Sequence, residues 1–176
     1  MRSGRRGPYP ERGSLVMSSS NHDPCAFCAI AAGTRPASVV AEDALTLAFV
    51  DLCQFHAGHV LIIPRQHVSD IRAADDATMA AVAITTARIA RAVDRAFPSD
   101  GISVWHSAGA GANQEVPHLH IHVHPRRLGD NVLAVYPSAP PLPARVVLEQ
   151  WAAQVREALR AELASSRVVI QYPPPP

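Results

Sequence analysis

Residues 117–125 read Pro-His-Leu-His-Ile-His-Val-His-Pro, so that four of the nine histidines fall on alternate positions between two prolines. Strict alternation is the period of a β-strand, in which successive side chains point to opposite faces. A helix would pair His118 with His122, but β-branched Ile121 and Val123 and the flanking prolines disfavour one. The segment is therefore predicted as a strand, with four imidazoles on one face and Leu119, Ile121 and Val123 turned to a core. At about 3.3 Å per residue, neighbouring imidazoles stand roughly 6.5–7 Å apart and His118 lies about 13 Å from His122 at the backbone. One metal cannot take them all. Taken alone, the row fits a histidine-rich metal patch as well as a set of separate catalytic roles.

The rest of the chain supplies the sheet for such a strand. Val39–Val40 and Leu45–Val50 flank a turn at 42–44, Val60–Ile63 closes at Pro64, and Ile102–His106 forms a further apolar run. Asp75-Asp76 opens a helix in which Met79, Val82, Thr86, Ile89, Val93 and Phe97 recur at helical spacing until Pro98 stops it. Past the Pro-rich stretch 137–143, Leu148, Trp151, Val155 and Leu159 mark one face of a C-terminal helix. Strands in runs around one main helix predict an α+β fold with an antiparallel sheet of about five strands. Residues 1–23 read as a disordered leader, with Met17 a second possible start, 24–164 as the folded domain, and 165–176 as a disordered Pro-rich tail.

Composition narrows the function classes. Sixteen Arg against fifteen acidic residues give a net charge of +1, which provides no bulk attraction for nucleic acid or an anionic membrane. There is no Lys, hence no Lys nucleophile or Schiff base. No apolar run approaches the roughly 20 residues of a membrane span, and no apolar segment follows Arg2, Arg5 and Arg6 as a signal peptide requires. A cytoplasmic location is expected. Three cysteines make no disulfide framework; Cys25 and Cys28 form a C-x-x-C, which points to metal or redox chemistry, and Cys53 is expected as a small buried hydrophobe. A redox role would need a βαβ context that the surrounding sequence lacks.

The stretch from Asn113 to Arg126 resembles the signature of the histidine triad (HIT) family. Asp51-Leu52 followed by Gly58-His59-Val60-Leu61-Ile62-Ile63-Pro64-Arg65-Gln66-His67 is similar to that family's second block, and Cys25-Ala26-Phe27-Cys28-Ala29-Ile30 to the start of its zinc-bearing bacterial branch. The three blocks keep the family's order and spacing over about residues 25–128.

The resemblance implies a HIT-like fold that pairs into a homodimer, and a nucleotide hydrolase acting at the α-phosphate of purine nucleoside phosphoramidates or dinucleoside polyphosphates. His120 would be the nucleophile, which suits an imidazole neutral near pH 7. His122 would sit against the phosphate oxygens, with His59 beside the nucleophile. Gln114 and its loop would donate to the phosphate. Phe27, Ile30, Phe49 and Leu52 would line a base slot, and Asp51 would accept from the ribose hydroxyls. Cys25, Cys28, His67 and His118 would hold one structural Zn²⁺, a closed set of N and S ligands. This chain departs from the family pattern at Ser107, where an Asn is usual, and at Asn113, where a Gly is usual; both belong to the substrate loop. Glu115 receives no role, and His124, one alternation beyond the triad, is expected at the solvent surface. His122 at the third triad position, where the transferase-like branch has Gln, favours hydrolysis. The alternatives are a nucleotide phosphorylase or transferase, and a non-catalytic nucleotide- and zinc-binding interaction protein.

Overall fold

The computed structural model describes residues 25–132 and 140–165. The leader expected over 1–23, and all but Ser165 of the tail expected over 165–176, lie outside the described residues. The chain divides into two units at Val132. The first contains, in order, α1 (Ala26–Ala31), β1 (Val39–Glu42), β2 (Thr46–Val50), β3 (Val60–Pro64), α2 (Asp76–Ala96), β4 (Gly101–Trp105), a single 3₁₀ turn (Ala110–Ala112) and β5 (Ile121–Arg126). The second contains α3 (Arg145–Ser165), and its residues Leu148, Trp151 and Val155 expose their side chains.

All five strands join one antiparallel sheet in the order β1-β2-β3-β5-β4. Local chemistry sets the corners. The Asp43 carboxylate accepts the N–H groups of Leu45 and Thr46, fixing the turn between β1 and β2. Asp75 caps α2 by accepting the Thr78 N–H at 2.7 Å. Val82, Ile89 and Val93 of α2 then pack on Ala48, Val60, Ile62 and Val123, the core on one face of the sheet. The opposite face packs Phe27 of α1 against Leu47, Phe49, Leu61 and Ile63.

The register sets out the working face. Phe49 pairs with Leu61, Leu61 with His122, and His122 with Trp105, which makes one cross-strand row over four strands. The alternation of the histidine segment is realised: Ile121 and Val123 pack with the α2 core, and the imidazoles of His118 and His120 lie against Phe27 on the other face. Three expectations fail here. The ladder begins only at Ile121, because the Leu119 N–H donates instead to the Val68 carbonyl at 2.7 Å, which holds His118 to His120 out of the sheet. His124 is 1% exposed rather than at the surface, sealed beneath His56, His59 and Trp105. Cys53, expected inside, is exposed because it stands in the loop between β2 and β3.

Candidate active site and metal centre

Two sites meet at the histidine segment. At its start, α1 carries Cys28 one turn beyond Cys25, and the loop after β3 brings in His67. Cys25 Sγ lies 3.4 Å and Cys28 Sγ 3.5 Å from His118 Nδ1, and Cys28 Sγ lies 3.3 Å from His67 Nδ1. A tetrahedral ion with Zn–S near 2.3 Å and Zn–N near 2.1 Å separates its S and N ligands by about 3.6 Å, so the donor set fits zinc. His118 Nε2–H donates to the Pro64 carbonyl at 2.9 Å, which orients the ring and leaves Nδ1 free for a metal. Burial and the neighbouring Cys25 thiol push the Cys28 thiol above its ordinary pKa in the protein without metal.

Next to this centre opens a cavity of about 660 Å³. Phe27, Ile30, Phe49 and Leu61 give it an apolar wall, while Asp51, Glu115, His120 and His122 line its polar end. Phe27 and Phe49 meet edge to face at 5.6 Å, and their two rings are buried. Leu52 lines the rim and is otherwise exposed. Asp51 is anchored by the Cys53 N–H, which donates to its Oδ1 at 2.9 Å.

Hydrogen bonds assign the imidazole tautomers. His120 Nδ1–H donates to the His118 carbonyl at 2.6 Å, so Nε2 keeps its lone pair for the cavity that the ring lines. His59 Nδ1–H donates to the Cys53 carbonyl at 2.9 Å, with Asp51 Oδ2 at 3.3 Å. His59 Nε2 must then accept from His122 Nδ1–H, 3.0 Å away. Gly58 sets the approach to this pair: its φ of +103° and the Phe97 ring, 2.5 Å from where a Cβ would stand, permit no side chain. Burial lowers the pKa of His120, with His106 adding to the effect. Burial and the surrounding histidines hold His122 at about 3. Both rings are neutral at pH 7. His120 presents an unprotonated Nε2 to the cavity, and His122 is hydrogen-bonded to His59.

The loop residues bond chiefly to their own backbone and to Ser69. Gln114 Oε1 accepts the Gly109 N–H at 2.7 Å, and its Nε2 donates to the carbonyls of Ser69 and Val116. Both amide hydrogens thus hold the loop in the unliganded protein. Asn113 takes the left-handed conformation, φ 59°, that its place in the loop requires. Ser107, Asn113 and Gln114 are not among the residues that line the cavity. His106 was missed by sequence reasoning. Its Nδ1–H donates to the His120 carbonyl at 2.8 Å and its Nε2 accepts from the Ile71 N–H, so it braces the His120 backbone. Its position directly after β4 carries no motif that would reveal this.

Comparison with known proteins agrees with the geometry. The HIT domain family model matches residues 32–129. The chain belongs to the HIT domain family. A HIT-like protein of Mycobacterium tuberculosis is 38% identical over 109 residues, which cover 62% of this chain and 76% of that one. The adenosine 5'-monophosphoramidase hnt1 of Schizosaccharomyces pombe is 32% identical over 123 residues, covering 69% and 90%. Among solved structures, a HIT family protein from Bacillus anthracis superposes with a TM-score of 0.72 at 31% identity, covering 77% of this chain and 97% of that one. A zinc-bound histidine triad family protein from Mycobacterium smegmatis is 36% identical with a TM-score of 0.58, covering 76% and 96%. The five-stranded antiparallel sheet with its helices is the HIT fold, and nucleotide hydrolysis is the chemistry this family supports. No helix among the described residues is long and apolar enough to cross a membrane.

Proposed function

We propose that this HIT protein is a cytoplasmic hydrolase that cleaves purine nucleoside phosphoramidates or dinucleoside polyphosphates at the α-phosphate through a nucleotidyl-His120 intermediate. The observation that carries the reading is the His120 tautomer: with Nδ1–H committed to the His118 carbonyl, the Nε2 lone pair belongs to the cavity. The apolar wall of Phe27, Ile30 and Phe49 suits a purine, and the Asp51 carboxylate suits the two ribose hydroxyls. Nε2 attacks phosphorus, the bond to the leaving group breaks, and the leaving group departs with a proton. Water then displaces His120, releasing the nucleoside monophosphate.

That proton is supplied by the His59–His122 pair. In the free protein the surrounding imidazoles and burial keep His122 neutral. A phosphate anion in the cavity reverses that balance and favours a proton on His122 Nε2, the nitrogen not engaged by His59. Cys25, Cys28, His67 and His118 would hold a structural Zn²⁺, which would tie α1 to the start of the histidine segment. Two copies would join through the β4 edge of the sheet, unpaired among the described residues, where Val104 is half exposed.

Steady-state hydrolysis of an adenosine phosphoramidate tests the reading. His120→Ala is expected to lower kcat on the order of 10⁴-fold or more while retaining zinc and nucleotide binding. Substrate chiral at phosphorus should react with net retention, since two in-line displacements restore the configuration. Inversion, or a His120→Ala variant of near-normal activity, would sink the covalent route, and a wild-type protein that binds nucleotide without turnover would support the non-catalytic alternative.

A further inference from the structure

Trp105 is the last residue of β4 and the direct cross-strand partner of His122. Its indole lies parallel to the His122 ring, centroids 4.4 Å apart at an interplanar angle of 2°. The same indole faces His59 at 5.6 Å and 27°, and the two imidazoles lie 5.2 Å apart at 25°. One aromatic face therefore covers a hydrogen-bonded imidazole pair. Trp105 is not part of the nucleotide cavity; it lines a smaller one on the other side of His59, together with Phe55 and His124. Whatever occupies the nucleotide cavity meets His122, and His122 is backed by indole.

We propose that Trp105 is a positioning residue for the His59–His122 pair, supporting both rings on one indole face and stabilising the pair's protonated form once a phosphate anion is bound. The proposal rests on the hydrolase reading above, because it assigns the pair the proton that leaves with the product. The chemistry follows from the ring faces. A neutral imidazole stacks on indole with little electrostatic gain, whereas an imidazolium meets the negative face of the indole quadrupole. The pair's other neighbours do not all favour a proton. His124 from β5, His120 just before it and His106 from the loop after β4 oppose it when charged; Asp51, 3.3 Å from His59 Nδ1, favours it, as does Glu115, which lines the same cavity as His122. Among the uncharged groups, Trp105 is the one stacked flat on the pair. The proton gained on phosphate binding comes from solvent and is passed to the leaving group, so no further reactant is needed.

Two measurements test this. In the first, Trp151→Phe leaves Trp105 as the single tryptophan, and an imidazolium stacked on it quenches its emission. Titration from pH 8 to pH 5 should show the quench with adenosine 5'-monophosphate bound and not in the free protein, whose midpoint lies below that range. In the second, kcat is followed against pH for Trp105→Leu and Trp105→Phe. Trp105→Leu should move the alkaline limb of kcat down by about half to one pH unit, a loss of about threefold to tenfold at neutral pH that recovers toward acid pH, with KM little changed. Trp105→Phe, which keeps a ring face, should restore most of it. An emission midpoint indifferent to nucleotide, or an activity loss in Trp105→Leu equal at every pH, would overturn the role of Trp105. Neither result touches the hydrolase reading, which stands or falls on His120→Ala. The fluorescence arm keeps the native residue at 105, so it decides the matter even if the Leu variant fails to fold.

Discussion

His118 and His124 stand at the two ends of one alternating row, and their side chains are 0% and 1% exposed. Their surroundings are opposite. Both ring nitrogens of His118 have partners, Nε2 the Pro64 carbonyl and Nδ1 the thiols of Cys25 and Cys28. Among the described residues neither nitrogen of His124 has a hydrogen-bond partner of good geometry, and the ring is packed against His59, His56 and Trp105. An unpaired buried polar group costs about 1–3 kcal/mol. The fold thus draws structure from one end of the row and tolerates a cost at the other. Residue type and alternation are the same at both ends, so the partners brought in by other elements decide what each imidazole does.

The sharpest way to break this comparison is to remove the metal at the His118 end. If zinc ties α1 to the histidine segment, stripping it should lower unfolding stability by about 4 kcal/mol where free zinc exceeds Kd a thousandfold. Cys28→Ser should behave like the stripped protein and respond little to added zinc. Thermal unfolding with and without chelator, alongside elemental analysis, gives the answer. Equal stability with and without metal would reduce the four residues to a buried polar cluster.

At the other end the sign reverses. His124→Leu replaces an unpaired imidazole with an apolar side chain of similar size and should raise stability by about 1–2 kcal/mol, read by denaturant unfolding. His118→Leu, by the same exchange, should destabilise, since it strands the Pro64 carbonyl and opens the metal shell. A destabilised His124→Leu would mean that ring stacking with Trp105 and His59 outweighs the missing hydrogen bonds.

The pattern explains which parts of the molecule were legible in the sequence. The period-two alternation placed the histidines on one face, the helical spacing from Asp75 to Phe97 matched α2 with Asp75 as its cap, and Pro64 and Pro98 ended their elements where expected. Those features depend on short-range sterics and hydrogen bonding that any window of the chain displays. The four metal-type ligands were legible because spaced Cys and His with a family resemblance specify a donor set, and the structure brings all four together. What depends on long-range contact was not legible. His124 looked like a surface residue because nothing local tells that loop residue His56 and edge-strand Trp105 close over it. The engagement of Gln114 by Gly109 and Ser69 was not legible either, since it joins segments up to 45 residues apart. His106 passed unnoticed for the same reason, since its partner is a carbonyl on the histidine segment.

The smallest effect sharpens the comparison by pH. Burial and the neighbouring histidines hold His122 at about 3, and burial, with His59 next, lowers His124 as well. In the unfolded chain both return to about 6.5. A folded pKa below the unfolded one means that the unfolded state binds protons first as the pH falls. The stability that comes from keeping these rings neutral is therefore complete above about 6.5 and is lost progressively toward pH 3. Carboxylates do not mask this window: the Arg72 guanidinium holds Asp70 at about 2, and Asp130, bound by Arg126, is also held well below the usual carboxylate range, so their contributions persist until the pH falls below about 4. Between pH 6.5 and 4.5 the unfolding free energy of the wild type should fall with a slope to which His124 adds less than one proton, under about 1.4 kcal/mol per pH unit. His124→Leu should flatten that slope and leave the segment below pH 4 unchanged. Parallel stability curves for the two proteins across the upper window would show that His124 titrates alike in the folded and unfolded chain, and that its burial carries no electrostatic cost.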